Sequence, residues 1–249
     1  MLKYKVTTAV DQPNQLEITD PLTEKAWPQF MLHDSVANKN WALLYEYFPE
    51  HQFTFTDAET QEIVAIANSI PLAYNDEFEK FPDTGWDFVL QKGVNDYNEK
   101  IEPNIMSALS IVITQNYLGK GISKLVLNEM RKIGQSKNLS HLIAPVRPNL
   151  KTLYPLIPIE KYIHWKNSDG NQFDAWLRVH ESIGGKVIKA CHQAMRIPGT
   201  IAEWEEWAGM KFPATGSYTV KGALVPINID YDKKEGLYIE PNVLVVHKL

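Results

Sequence analysis

The sequence predicts one domain of the mixed α/β class, and three observations carry that prediction. Residues 51–72 read as a hairpin of two strands, residues 108–146 as a strand–helix–strand unit, and residues 186–197 and 237–248 as two further strands. Strands that alternate with helices in this way build a sheet with helices packed on it.

Residues 22–48 carry helical spacing, with Trp27, Phe30 and Met31, then Trp41, Leu44, Tyr45 and Phe48, three and four apart. His51 to Thr56 alternates polar and apolar residues, as a half-buried strand does. Asp57-Ala58-Glu59-Thr60 is a polar turn, and Glu62 to Leu72 is a second, more buried strand. Trp86 to Tyr97 is predicted helical, within an acidic and aromatic stretch over 75–104.

Ala108 to Thr114 is a short, β-branched, nearly all-apolar run, as expected of a central strand covered on both faces. The helix after Gly121 shows one apolar stripe of Ile122, Leu125, Val126, Met130 and Ile133. Leu139 to Val146 is the next strand. Its short joins make a right-handed unit with the two strands parallel. Residues 147–171, with Pro148, Pro155 and Pro158, are irregular. Gln172 to Ile183 reads as a helix with Phe173, Trp176, Leu177 and Ile183 inward and Gly184 as its stop. A short helix around Trp204 and Trp207 lies between the last two strands.

The chain has 249 residues, 44% hydrophobic and 22% charged, with a net charge of −5. It is long enough to bury a full core. It lacks the basic footprint of a nucleic-acid or anionic-lipid binder, so neither nucleic acid nor membrane is an expected partner. One cysteine, Cys191, makes no internal disulfide. The N-terminal Met1 to Val6 has no apolar signal core, and no apolar run reaches the roughly 20 residues of a membrane span. The expectation is a reduced, cytoplasmic protein.

The segment with chemical content is Ile113-Thr114-Gln115-Asn116-Tyr117-Leu118-Gly119-Lys120-Gly121-Ile122-Ser123. A buried strand ends, the chain turns on two glycines, and a helix begins at once. The first N–H groups of a helix have no partner within it, and the helix dipole adds partial positive charge there. Glycine lets the backbone approach a ligand closely. Lys120 and Lys124 stand at this positive end with no acid in the first turn. That placement is unfavourable by roughly 0.3–1 kcal/mol per exposed charge unless an anion is bound. The pattern points to a phosphate or pyrophosphate site. It has neither the spacing of a nucleotide P-loop nor the third glycine of a dinucleotide turn, where Lys124 stands.

This stretch resembles the acyl-CoA signature of the GNAT superfamily, Arg/Gln-x-x-Gly-x-Gly/Ala, between the fourth core strand and the following helix. Leu118 falls at the Arg/Gln position, Gly121 at the glycine and Ser123 at the Gly/Ala. The resemblance covers residues 53–195. It implies a splayed mixed sheet, mostly antiparallel with parallel fourth and fifth strands and flanked by helices. Segments near 75–104, 150–171 and 198–236 are then insertions in a single domain spanning residues 1–249. It also implies that acetyl-CoA or another acyl-CoA is the co-substrate. The turn amides from Gln115 and Leu118 through Gly119, Lys120, Gly121 and Ile122 to Ser123 would hold the pyrophosphate. The strand edge at Ile113 and Thr114 would pair with the pantetheine arm, and Asn149 would help bind the cofactor. His180 stands where the family often has a tyrosine that protonates the leaving thiolate, and Gly185 where a phenylalanine follows. A histidine there acts as acid or base, or is a helical residue without chemistry.

The resemblance implies direct transfer of an acyl group to an amine of a small molecule or peptide, without a covalent enzyme intermediate. The departures at Leu118 and His180 motivate an alternative, a non-catalytic acyl-CoA sensor. A longer acyl group, a hydroxyl acceptor and a phospholigand other than coenzyme A are further readings, and a homodimer is compatible with any of them. Glu46, Glu79 and Glu240 are acids able to take a proton from an amine, and nothing in the sequence selects one. Cys191 and His192 are neighbours on a strand and point to opposite faces, which makes Cys191 a structural cysteine. The histidines show no metal spacing, so no metal is expected. Trp86, Trp165 and Tyr162 roof an acceptor pocket or anchor long loops.

Overall fold

Asp57 closes the first hairpin. Its carboxylate accepts from the backbone N–H groups of Glu59 and Thr60 at 2.9 and 3.1 Å, an Asx turn between β2 (Gln52–Asp57) and β3 (Ile63–Leu72). The computed structural model describes residues 3–249; Met1 and Leu2, which open the stretch read as lacking a signal core, lie outside them. Ahead of the hairpin stand β1 (Tyr4–Thr8), α1 (Gln15–Ala26) and α2 (Ser35–Tyr47). After it come α3 (Gly85–Glu99), β4 (Ile105–Ile113), α4 (Ile122–Ser136), β5 (His141–Val146), α5 (Ile159–Tyr162) and α6 (Ala175–Ser182). The chain ends with β6 (Lys186–Thr200), α7 (Ile201–Ala208), β7 (Gly216–Tyr218), β8 (Ile227–Asp230) and β9 (Glu235–Lys248).

The strands form one sheet in the order β1-β2-β3-β4-β5-β9-β8-β7, with β6 on the other edge of β9. Among the described residues, only β4 and β5 are parallel neighbours, the arrangement expected of the fourth and fifth strands. Helices α2 and α3 cover one face of the sheet, and α4 and α6 the other. Gly134 lets α4 approach closely, since a Cβ there would lie 2.7 Å from Met106 Sδ on β4.

The β4–β5 ladder is short. It joins Met106 to Leu142 and Ser107 to Ile143, and then the strands part. Two local features account for the splay. The register with β3 skips Leu109, since Asn68 pairs with Ser110 and Ser69 with Ala108. Such a bulge bends its strand. The Leu109 carbonyl is turned to the Trp86 indole N–H at 2.9 Å instead of a neighbouring strand. On the other side of the gap, Pro145 has no N–H to offer a ladder.

Several boundaries differ from expectation. Asp174 caps α6 by accepting from Trp176 N and Leu177 N, so that helix starts at Ala175 and not at Gln172. The buried stripe of α4 is Ile122, Val126, Leu127, Met130 and Gly134, while Leu125 is 46% exposed. The strands β1, β7 and β8, of three to five residues, add to the expected set; each is too short for its pattern to stand out from the flanking turns. Segment 75–104 carries α3, and segment 198–236 carries α7, β7 and β8 with fully buried Trp204.

Candidate active site

The glycine turn leads straight into α4. Gly119 and Gly121 both have φ of +73°, and a Cβ at either would meet no atom within 4 Å. The left-handed backbone, and not lack of space, calls for glycine here. Gly121 is the N-cap and no side chain caps the helix. Among the described residues, the N–H groups of Gly119, Lys120 and Gly121 meet no acceptor. Leu118 is 61% exposed, and Ile122 is buried beneath the turn. Lys120 Nζ lies 4.7 Å from the centroid of Tyr117, whose hydroxyl donates to Glu62 at 3.1 Å. Gln115 is exposed and Ser123 half-buried at the helix start.

The strand edge divides at its end. Ile113 pairs with Ala65 on β3 and has no strand on its β5 side. Thr114 is fully engaged: its N–H and hydroxyl both donate to the Val64 carbonyl at 3.0 and 3.2 Å, and its carbonyl accepts from Tyr117 N. Of this pair only Ile113 keeps an open edge. Asn149 opens a 3-10 turn (Asn149–Leu153) and is exposed.

A cavity of about 410 Å³ occupies the gap between β4 and β5. Ala108 to Ile111 form one wall and Ala144 to Arg147 the other. Glu240 and Asn242 on β9 close its inner end, in the stretch of β9 that neither β5 nor β8 covers. Trp27, Trp41 and Trp86 are among its aromatic lining. At its rim stand Asp20 and Glu24, both exposed, one turn apart on α1. Trp86 therefore roofs the cavity. Trp165 and Tyr162 instead pack with Tyr154 and Phe173, ring centroids 4.9–6.3 Å apart, and anchor segment 150–171.

Of the three acids considered, Glu240 lines this cavity. It is fully buried and takes Arg147 Nε on both oxygens, at 3.0 and 2.9 Å, and the Tyr238 hydroxyl at 2.9 Å. His180 also lines it, 3% exposed. Its Nδ1 lies 2.8 Å from Nε2 of His247 on β9. Burial drives the His180 pKa down to about 3, helped by His247, and burial drives His247 to about 4, helped by Arg131. Both rings are neutral at pH 7. Among the described residues, neither His247 Nδ1 nor Arg131 Nε has a partner. A lone pair on Nδ1 facing Arg131 is the less costly arrangement. His247 then donates from Nε2, and His180 carries its proton on Nε2. Gly185 makes room for the pair, since a Cβ there would lie 2.5 Å from His247 Cε1. The phenylalanine expected by resemblance would not fit at that position.

The cavity residues Asp20, Glu24, Trp27, Trp41 and Arg147 were not singled out as site residues from sequence. The one local signal was the i, i+4 pair of acids on α1. Among the described residues, no three His, Cys, Asp or Glu gather as a metal site, and no helix is long and apolar enough to cross a membrane.

A splayed parallel pair, a glycine turn with free amides and a cavity in the gap define an acyl-CoA-dependent acyltransferase. The chain belongs to the GNAT superfamily of acyl-CoA-dependent N-acetyltransferases. It is 31% identical to the arginine N-acetyltransferase avaD of Aspergillus versicolor, over 99% of this chain and 94% of that protein. Its fold is similar to the loading GNATL domain of CurA from Lyngbya majuscula, with TM-score 0.61 and 16% identity over 98% of this chain and 97% of that one. It is similar also to the GphF GNAT-like decarboxylase in complex with isobutyryl-CoA, with TM-score 0.60 and 11% identity over 98% of each. No protein-family model matches the chain. The enzyme moves an acyl group from an acyl-CoA thioester to an acceptor.

Proposed function

We propose that the enzyme transfers an acetyl group from acetyl-CoA to a nitrogen of arginine, or of a small molecule or peptide with an arginine-like cation. The observation that carries this reading is the cavity in the β4–β5 gap, which ends at the rim carboxylates Asp20 and Glu24. Two acids one helical turn apart suit a planar guanidinium, while the Trp27 ring beside them already carries the Arg147 guanidinium, 5.9 Å from its centroid. The named arginine N-acetyltransferase relative supports the same acceptor class.

On the donor side, the free amides of Gly119 to Gly121 and the helix start at Ile122 and Ser123 bind the coenzyme A pyrophosphate. Lys120 adds charge in place of the arginine that Leu118 lacks. The pantetheine arm follows the open edge at Ile113. Gln115 and Asn149 are exposed and free to contact the nucleotide end. His180 takes part as a neutral N–H donor, since a ring titrating at about 3 keeps one proton and takes up no second one at pH 7. The single, buried cysteine suits a reducing, cytoplasmic setting.

The test is release of free thiol from acetyl-CoA with arginine, Nα-blocked arginine, lysine and citrulline as acceptors. Arginine should be used and citrulline, its neutral isostere, should not. The blocked compound identifies the reacting nitrogen. Asp20→Asn with Glu24→Gln should raise KM for arginine about tenfold, equivalent to about 1.4 kcal/mol, with kcat little changed. Equal use of citrulline and arginine would end the cation reading.

A further inference from the structure

The cavity between β4 and β5 carries charge of one sign. Among the described residues its ionisable side chains are Asp20, Glu24, Glu240, Arg147 and His180, with no lysine. His180 is neutral, titrating at about 3. Three carboxylates against one guanidinium leave a formal charge of −2. Arg147 is already committed. Its Nε serves both oxygens of Glu240, it donates also to the Gly222 carbonyl, and it lies over the Trp27 ring. The field of Glu240 still reaches past this pair. Burial raises the pKa of Asp34 and of Asp87, and the Glu240 charge adds to both. Between the rim acids and Glu240 the walls are apolar, with Leu16, Met31, Trp41, Trp86 and Leu109. The Trp86 indole N–H is spent on the Leu109 carbonyl.

A free amino acid brings a carboxylate as well as a cation, and neither way of entering suits it. If its cation stays between Asp20 and Glu24, its carboxylate leads into the apolar walls towards Glu240. If the cation leads, the carboxylate is left beside the two rim acids. One placement buries a carboxylate without a partner and the other sets like charges together, and both are strongly unfavourable.

We propose that the cavity selects acceptors without a free carboxylate: a cationic amine or guanidine whose carboxyl carbon is absent or tied up as an amide or ester. The inference rests on the reading of the site as an acyltransferase for an arginine-like cation, and it makes free arginine a slow acceptor. Asp20, Glu24 and Glu240 then set specificity by excluding anions as well as by attracting cations. The same exclusion acts on the donor. An acyl group that ends in a carboxylate, as malonyl does, carries its charge into the same gap.

The experiment compares arginine, arginine amide and agmatine as acceptors from acetyl-CoA. All three keep the guanidinium and the primary amine, and only arginine keeps the carboxylate. The amine of agmatine is more basic than that of arginine and the amine of the amide less basic, so a gain shared by both comes from loss of the carboxylate. For both, kcat/KM should exceed that for arginine by about tenfold or more. Asn38→Arg adds a cation at an exposed position of the lining and should narrow that gap about threefold. Malonyl-CoA should bind about tenfold more weakly than acetyl-CoA, in a titration that needs no acceptor. Use of arginine within twofold of both other compounds would overturn the proposal. So would a gain confined to the amide, the mark of amine basicity, and so would equal affinity for the two acyl-CoAs. If no acceptor is turned over, the ratio of those affinities decides alone. Equal use of arginine amide and citrulline amide would end the cation reading and leave the exclusion of carboxylates standing. Failure to bind acetyl-CoA at all would remove the acyl-CoA reading, and this proposal with it.

Discussion

Arg147 and Glu240 form a two-oxygen ion pair at the closed end of the cavity, with Nε 3.0 and 2.9 Å from the two carboxylate oxygens. The pair joins the end of β5 to the middle of β9, where the two strands have separated. Arg147 also donates to the Gly222 carbonyl, and Tyr238, which donates to Glu240, accepts from Leu224 N. The loop before β8 is thereby tied to the cavity wall.

Glu240→Gln should therefore destabilise the protein strongly. The Glu240 carboxylate is fully buried, and removing it strands the guanidinium. Breaking one side of a buried pair costs about 3–5 kcal/mol. The melting temperature should fall by roughly 10 °C. Replacing both partners, as in Arg147→Met with Glu240→Gln, should recover much of the loss. Urea unfolding of wild type and the two variants tests this, and a double variant no more stable than Glu240→Gln would contradict it.

The His180–His247 pair predicts a specific pH dependence. Both folded pKa values lie below the ordinary 6.5, at about 3 and about 4. As pH falls from 6.5 towards 4, the unfolded chain takes up protons that the folded one refuses. Stability from these groups is thus complete above 6.5 and is lost as pH drops through that window. The limiting slope is about 1.4 kcal/mol per pH unit for each ring. Asp87 works in the opposite sense, because burial raises its pKa from 3.8 to about 8. The useful quantity is the difference between wild type and His180→Gln/His247→Gln, whose pH curve should be flatter between 4 and 6.5. The kcat profile of wild type should show no inflection near 6.5 from His180.

How far the sequence revealed this site depends on range. The turn from Ile113 to Ser123 was legible because its chemistry is local: a β-branched run, two glycines and a helix start occupy consecutive residues. The parallel β4–β5 pair followed from the short joins around α4. The cavity was not legible. Asp20, Trp41, Arg147 and Glu240 come from distant elements, and Glu240 meets Arg147 because β9 inserts between β5 and β6, a topology that no local pattern encodes. His180 was found by position, but its neutrality depends first on burial and then on His247, which the β9 register places beside it. In α4, Leu125 and Leu127 fit the helical period almost equally well, and only the packing decided for Leu127.

Cys191 should be inert in the folded enzyme. It is fully buried, and burial pushes its thiol up to about 12. At pH 8 only about one molecule in ten thousand would carry the reactive thiolate. A chromogenic disulfide reagent should titrate one thiol in denaturant and none in the native protein over minutes. Rapid native reaction would show that the β6 bulge beside Cys191 opens readily.

The glycine turn yields the most direct check of the donor site. Gly119→Ala and Gly121→Ala each force a side chain into φ of +73°, at a cost of about 1–2 kcal/mol in stability, with no steric clash. Gly121→Glu adds a negative charge where the pyrophosphate amides point. Acetyl-CoA at 100 times its dissociation constant should stabilise wild type by about 2.7 kcal/mol. The alanine variants should melt lower yet still respond to acetyl-CoA, because backbone amides and not side chains do the binding. Gly121→Glu should lose the response altogether, since its carboxylate repels the ligand's phosphates. A full response in Gly121→Glu would move the pyrophosphate away from this turn, while loss of response in Gly121→Ala alone would show that close backbone approach to the ligand, and not φ, is what this glycine provides.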